Sequence, residues 1–468
     1  RYSVQVLRIP LMYLRILPLA AILAALAACA GLPSEGDGAE QGPKAPEILL
    51  ADGDAALERN ELPEAARAYR QAAEASDDES VAEQATRAAF EHFQMREASL
   101  AGERWLVLKA TSEEARPEAG VALHELHRLD VAEQHFAELL GTAYLSPAAG
   151  FLALLPVVSD RGTPPDVAEL FRRLVARHPT VAEGHYALGS AALHSENFRL
   201  ALDSARRATE IAPYWVPARM LLARALVTSG DEEAGLAAAR DLVMAPDASV
   251  ATHLEYALLL AATGRDAEAR AMLTPYATGE TVVPGAVRSL GILDLEQGDL
   301  DAATVRFEAL LSTGSQSYDS MYFLGNIADR RDDDERAARY YSRVVSGEYA
   351  LPAQGRLARI KAEQGGLDAG LAHLQDFASG HPQRGPDLVA TRAGLASSFG
   401  DTERAIAILD AGLQQYPDAL ELRMTRVFAY ERAGKSDAAV RELRQLLAER
   451  PGDATVQNAL GYTLADRN

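Results

Sequence analysis

The chain has 468 residues and a formal net charge of −21, from 67 acidic against 46 basic side chains. Acidity on that scale argues against nucleic acid as a partner and against broad adhesion to anionic lipid, since both carry the same sign of charge. With 48% hydrophobic residues a core can be buried, and a single cysteine excludes any disulfide framework.

The first 28 residues contain Arg1, Arg8 and Arg15 and no acid, then run apolar through "ILPLAAILAALAA", Ile16 to Ala28. A basic start, a short apolar stretch and small residues make a secretory signal, too short for a comfortable membrane span. The lone thiol follows in Leu26-Ala27-Ala28-Cys29. That tetrapeptide resembles the lipobox of bacterial lipoproteins, which implies a diacylglyceryl group on the Cys29 sulfur and cleavage in front of it. One acyl chain binds a membrane marginally and two or more hold it stably, so a lipidated Cys29 is a durable tether. The alternative is an uncleaved anchor with an incidental cysteine. Position 30 is Ala rather than Asp; in Gram-negative lipoproteins this implies export to the outer membrane, facing the periplasm. Without residues 1–28 and their three arginines the net charge becomes −24. Residues 29–46, rich in Gly, Pro and acids, read as a flexible lipid-anchored linker.

From residue 47 to 468 the chain repeats. In "EGHYALGSAALHSENFRLALDSARRATEIAP", Glu183 to Pro213, the pair Leu188-Gly189 is followed by Ala201, Ala208 and Pro213. This is the tetratricopeptide pattern, with small residues at repeat positions 8, 20 and 27 and proline at 32. The position-8 residues are Gly53, Thr86, Gly120, Leu155, Gly189, Ala223, Ala257, Gly291, Gly325, Ala358, Ala393, Val427 and Gly461. Position 20 is alanine at 65, 98, 132, 201, 269, 303, 337, 405 and 439, and position 32 is proline at 179, 213, 382, 417 and 451. Glycine at position 15 (Gly230, Gly264, Gly298, Gly365, Gly400, Gly434) supplies the left-handed turn between two helices. Small residues let the paired backbones approach, and proline starts the next repeat because it cannot extend the old helix. The expectation is an all-α solenoid, a right-handed superhelix of about twelve helix pairs plus a truncated thirteenth. The pattern is weakest over residues 47–180. The chain begins with Arg and stops at position 15 of the thirteenth repeat, so truncation at both ends is expected.

Enzyme signatures are absent: there is no His-Glu-x-x-His, phosphate-binding glycine loop, Gly-x-Ser-x-Gly or thiol pair. No catalytic activity, cofactor or metal is expected. His124, His127 and His135 in "HELHRLDVAEQH" are read as surface or interhelix residues, and "RRDDDER", Arg330 to Arg336, as a solvated turn. Trp105 and Trp215 fall at or near packing positions between repeats.

What remains is recognition. The first helix of each pair lines the concave surface through positions 2, 5, 9 and 12. Those positions give Tyr186, Met220, Arg224, Leu254, Arg288, Tyr322, Asn326, Arg359, Met424, Phe428, Asn458 and Tyr462. Arg224, Arg288 and Arg359 are candidates to meet carboxylates of an extended segment, and Tyr322, Phe428 and Tyr462 to anchor it.

A lipobox, an acidic linker and about a dozen repeats resemble the large tetratricopeptide outer-membrane lipoproteins of Gram-negative bacteria. "NALGYTLADRN" is similar to a phrase near the C-terminal part of that group. The resemblance implies an adaptor that binds a periplasmic carboxyl-terminal processing protease and delivers peptidoglycan hydrolases to it. It carries over no contact residue beyond Cys29. The alternative is a pilotin-like assembly lipoprotein for an outer-membrane secretion, pilus or polysaccharide export complex.

Overall fold

The computed structural model describes residues 44–109, 115–142, 146–161, 163–278 and 282–465. The expected leader, Cys29 and nearly all of the expected linker lie outside the described residues. Among those described, every regular element is helical, and the helices pair in chain order. The first six pairs are α1 (Pro46–Glu58) with α2 (Leu62–Ala75), α3 (Glu79–Glu91) with α4 (Met95–Leu108), α5 (Ala115–Glu125) with α6 (Leu129–Thr142), α7 (Pro147–Arg161) with α8 (Pro164–Arg177), α9 (Ala182–His194) with α10 (Phe198–Ile211) and α11 (Val216–Thr228) with α12 (Glu232–Val243). Next come α13 (Val250–Ala262) with α14 (Asp266–Thr278), α15 (Pro284–Glu296) with α16 (Leu300–Ser312), α17 (Ser317–Asp329) with α18 (Asp334–Tyr341) and α19 (Ala350–Gly365) with α20 (Leu367–Ser379). The last are α21 (Gly385–Ser398) with α22 (Thr402–Gln415) and α23 (Leu420–Arg432) with α24 (Ser436–Glu449), leaving α25 (Ala454–Ala465) as a first helix. The all-α solenoid expected from the repeat marks is therefore what forms. None of the described helices is long and apolar enough to cross a membrane.

Each mark has its physical counterpart. The position-20 alanines, from Ala65 to Ala439, are all buried, which lets the second helix lie close against the first. Where glycine replaces alanine, the approach is tighter: a Cβ on Gly235 would sit 2.6 Å from the carbonyl oxygen of Ala223. Gly230, Gly264, Gly298, Gly400 and Gly434 adopt φ between +69° and +92° and reverse the chain between paired helices. Gly365 does not: it is the last residue of α19, and Gly366 takes the left-handed conformation instead, at φ +86°. Asn60, Phe93, His127, Glu196 and Asp332 occupy the same position without being glycine, at φ +55° to +58°.

In one repeat the second helix is cut short. Helix α18 stops at Tyr341, and the buried amide of Gln354 donates to the carbonyls of Tyr341 (3.1 Å) and Val344 (3.0 Å). It thereby satisfies acceptors that an ended helix leaves open.

The stack curves until its early repeats meet its late ones. Gln94, just before α4, donates from Nε2 to the carbonyl of Gln415 at the end of α22, 2.7 Å away. The Leu62 amide faces the Gln415 side-chain oxygen at 3.4 Å, and Phe93 meets the Tyr416 ring edge-on at 6.4 Å. Arg450, following α24, donates to the carbonyl of Glu125 at the end of α5 (2.9 Å) and lies 3.9 Å from Asp166 in α8. All but the Arg450–Asp166 pair are more than 300 residues apart in sequence, so the described stack closes on itself.

Candidate functional site

First helices of successive repeats stand side by side, and between α9, α11 and α13 they leave a depression of about 500 Å³. Its floor is apolar, from Leu193, Val227, Leu258 and Leu259, and its rim carries His194, Arg224 and Glu255. Leu258 is 54% exposed, so the apolar surface of the depression is open to solvent. The Arg224 side chain makes no hydrogen bond or close ion pair among the described residues; the charge it acts on is Glu255. Burial pushes the Glu255 carboxyl up from its ordinary value, and Arg224 pulls it back down.

The other wall arginines are engaged. Arg288 donates from Nε to Asp319 (3.0 Å) and from a terminal nitrogen to the Tyr349 hydroxyl (2.7 Å). Its guanidinium also lies over the rings of Phe323 (5.7 Å) and Tyr349 (5.9 Å). Arg359 bridges Asp329 (3.1 Å) and Glu363 (2.7 Å). Both arginines thus tie consecutive repeats together, and a partner's carboxylate would have to displace a carboxylate already in place.

The remaining predicted wall residues divide. Met220, only 2% exposed, belongs to a buried cluster with Leu242 and Tyr256 and is withdrawn from the wall: the following repeat covers it. Leu254 packs against the same cluster. Tyr322 stacks on Tyr349 with centroids 4.5 Å apart, and Tyr186 leans on Trp215 at 5.0 Å. Asn326 is half-buried, and Met424 lines the space where the two ends of the stack meet. Phe428 (52% exposed), Asn458 and Tyr462 (77%) are open to solvent on α23 and α25.

The three histidines do not converge. His124 is buried, His127 Nδ1 contacts Asp166 at 3.0 Å, and His135 Nε2 contacts Glu103 at 3.1 Å. Among the described residues no group of histidine, cysteine and carboxylate side chains has the arrangement to hold a metal. In "RRDDDER", Asp333 caps α18 by accepting from the Arg336 amide (3.0 Å), so one of its carboxylates serves the helix end. Trp105 is a core residue, 2% exposed, and Trp215 precedes α11.

Tetratricopeptide-repeat family models match residues 397–461, and 159–214 together with 288–352. The chain is built of tetratricopeptide repeats. A relative, the TPR repeat-containing protein PA4667 of Pseudomonas aeruginosa, is 34% identical over 150 residues, which is 32% of this chain and 25% of that protein. The match thus spans about a quarter of the relative's length. Similar solved structures include yeast Tom70 (12% identity, TM-score 0.40, 90% of this chain and 95% of that one). Another is the structure described as the APC/C hetero-tetramer Cut9-Hcn1 (14% identity, TM-score 0.32, 90% of this chain and 96% of that one). As a tetratricopeptide scaffold the chain offers surfaces for protein–protein contact, and no enzyme family is among these matches.

Proposed function

We propose that this protein is a non-catalytic, outer-membrane, periplasm-facing adaptor lipoprotein. In this reading Cys29 carries the lipid, and the inner wall holds protein partners, presenting peptidoglycan hydrolases to a carboxyl-terminal processing protease. The observation that carries the binding half is the depression at α9, α11 and α13, with Arg224 uncommitted on its rim. An extended segment that sets an apolar side chain among Leu193, Val227 and Leu258 brings a neighbouring carboxylate to Arg224. A net charge of −21 suits basic, wall-binding hydrolases. A lipid tether would raise the local concentration of two partners at one membrane without any chemistry by the scaffold.

The test is crosslinking in living cells followed by mass spectrometry, comparing the parent with Arg224→Glu and Arg288→Ala. The processing protease and hydrolases are expected with the parent, and recovery falls about tenfold in Arg224→Glu at unchanged melting temperature. Arg288→Ala instead lowers stability by about 1–2 kcal/mol, because it breaks contacts inside the fold. Recovery of secretin subunits with no hydrolase or protease overturns the adaptor reading in favour of assembly. Unchanged envelope residence in Cys29→Ser overturns the tether.

A further inference from the structure

The contacts that join the early and late repeats have a common chemistry: each end caps the helices of the other. A helix leaves its last carbonyls and its first amides without intrahelical partners. Gln94 supplies a donor to the end of α22, and Arg450 supplies one, with positive charge, to the end of α5. In the opposite sense, the Asp418 carboxylate, between α22 and α23, is drawn down from the raised value that burial gives it by Arg96 in the first turn of α4. Gln94 and Arg450 are 3% and 7% exposed, so these are enclosed bonds between repeats a full superhelical turn apart.

Two turns between paired helices also contribute side chains to the joint. The turns after α11, α13 and α15 use glycine at the left-handed residue. The turns that face the joint use Phe93 and His127, each at φ +57°. Holding a bulky residue there costs about 1–2 kcal/mol, and in return Phe93 meets Tyr416 while His127 holds Asp166 opposite Arg450. Glu196 and Asp332 take the same conformation elsewhere in the stack, so what marks Phe93 and His127 is the contact each makes at the joint.

The joint is nevertheless loosely filled. Clefts of about 620 and 490 Å³, open to solvent, run along it, lined from both sides by residues such as Glu125, Leu126, Asp387, Arg423 and Arg450. Burial also pushes the carboxyls of Asp418 and of Glu421, which bonds Asp387, above their ordinary values, so both gain hydration when the faces part. A few bonds that close the ring, flanked by clefts open to solvent, make a joint that separates without unfolding any repeat.

We infer that this joint is a reversible clasp: reciprocal helix capping by Gln94 and Arg450 holds the superhelix as a closed collar, and its release lets the stack spring to a wider pitch. The inference rests on the fold and not on the identity of any partner.

The experiment uses the full chain with Cys29→Ser and spin labels on Arg59→Cys and Gln414→Cys, exposed neighbours of the joint on its two sides. Double electron–electron resonance reads their separation. At low salt the parent gives a dominant short distance. Gln94→Ala with Arg450→Ala, or about 1 M salt, moves the population to longer distances, and the closed-to-open ratio falls at least about tenfold. Far-UV circular dichroism stays constant throughout. Should the double variant lose helicity, Arg450→Ala alone, outside any helix, is read in its place with the same expectation. A parent without the short distance, or a distribution indifferent to both salt and the substitutions, overturns the clasp.

Discussion

The ring of Tyr341 lies directly against the backbone of Gly325: a Cβ added to that glycine would come within 2.6 Å of Tyr341 Cε1. The same fit recurs sixteen residues apart in Gly53–Tyr69, Gly120–Phe136 and Gly291–Phe307, with built Cβ distances of 2.6 to 2.8 Å. In other repeats the pair is Ala257 with Leu273 or Ala358 with Leu374, all buried. A larger residue on one helix is matched by a smaller one on the other. Gly325→Ala is therefore expected to destabilise, by about 1–2 kcal/mol. The overpacking outweighs the helix-propensity gain of alanine over glycine. Adding Tyr341→Leu recreates the Ala–Leu pairing, and the two changes together cost less than the sum of each alone. Urea denaturation of the four proteins, analysed as a double-mutant cycle, checks it.

Asp294, 1% exposed in α15, receives Arg270 from α14 and Arg306 from α16, each at 2.5 Å. One carboxylate thus pins three consecutive helices. Asp294→Asn keeps the shape and removes the charge, leaving two guanidiniums without their counterion. A loss of about 2–3 kcal/mol is expected. Arg270→Ala costs less, since Arg306 still satisfies the carboxylate. Chemical denaturation that ranks the two substitutions in the reverse order defeats this account.

His373 in α20 is a pH-dependent support. Its Nε2 faces the Gln354 side-chain oxygen at 2.8 Å and its Nδ1 the Lys361 ammonium at 3.1 Å. The arrangement fits a neutral ring that donates to Gln354 and accepts from Lys361. Burial first, and Lys361 second, lower its pKa to about 4. The unfolded chain, with histidine near about 6.5, binds the proton where the folded one does not. Stability is then complete above the unfolded value and is lost as pH falls from about 6.5 toward 4. His373→Gln is expected to flatten that slope. Melting curves of both proteins at pH 7 and pH 5 give the comparison, and parallel losses would sink it.

The repeat scaffold was legible because its marks act within one helix pair. Small residues at positions 8 and 20 answer a local steric demand, and proline at 32 answers a local hydrogen-bond demand. The Gly365-Gly366 pair shows the limit: either residue satisfies the pattern, and the extra turn of α19 decides for Gly366. Phe93 and His127 hid in the same position because a left-handed residue without glycine leaves no compositional trace. The wall was half legible. Spacing puts Arg288 on the inner face but cannot say that Asp319, from the next repeat, reaches it first, nor that the following repeat covers Met220. Contacts such as Arg450 to Glu125 have no local signature at all, because they depend on curvature accumulated over some nine repeats.

A linear array of repeats unravels from its tips, since each unit leans only on its immediate neighbours. Here early and late repeats of the described stack hold each other. Closing a flexible loop of the 353 residues between Leu62 and Gln415 costs about 5 kcal/mol in chain entropy, but stacked repeats of fixed curvature deliver the two ends already aligned. Amide protons at both extremities should then exchange with solvent in concert rather than by independent fraying. The last event in folding becomes the meeting of the first repeats made by the ribosome with nearly the last.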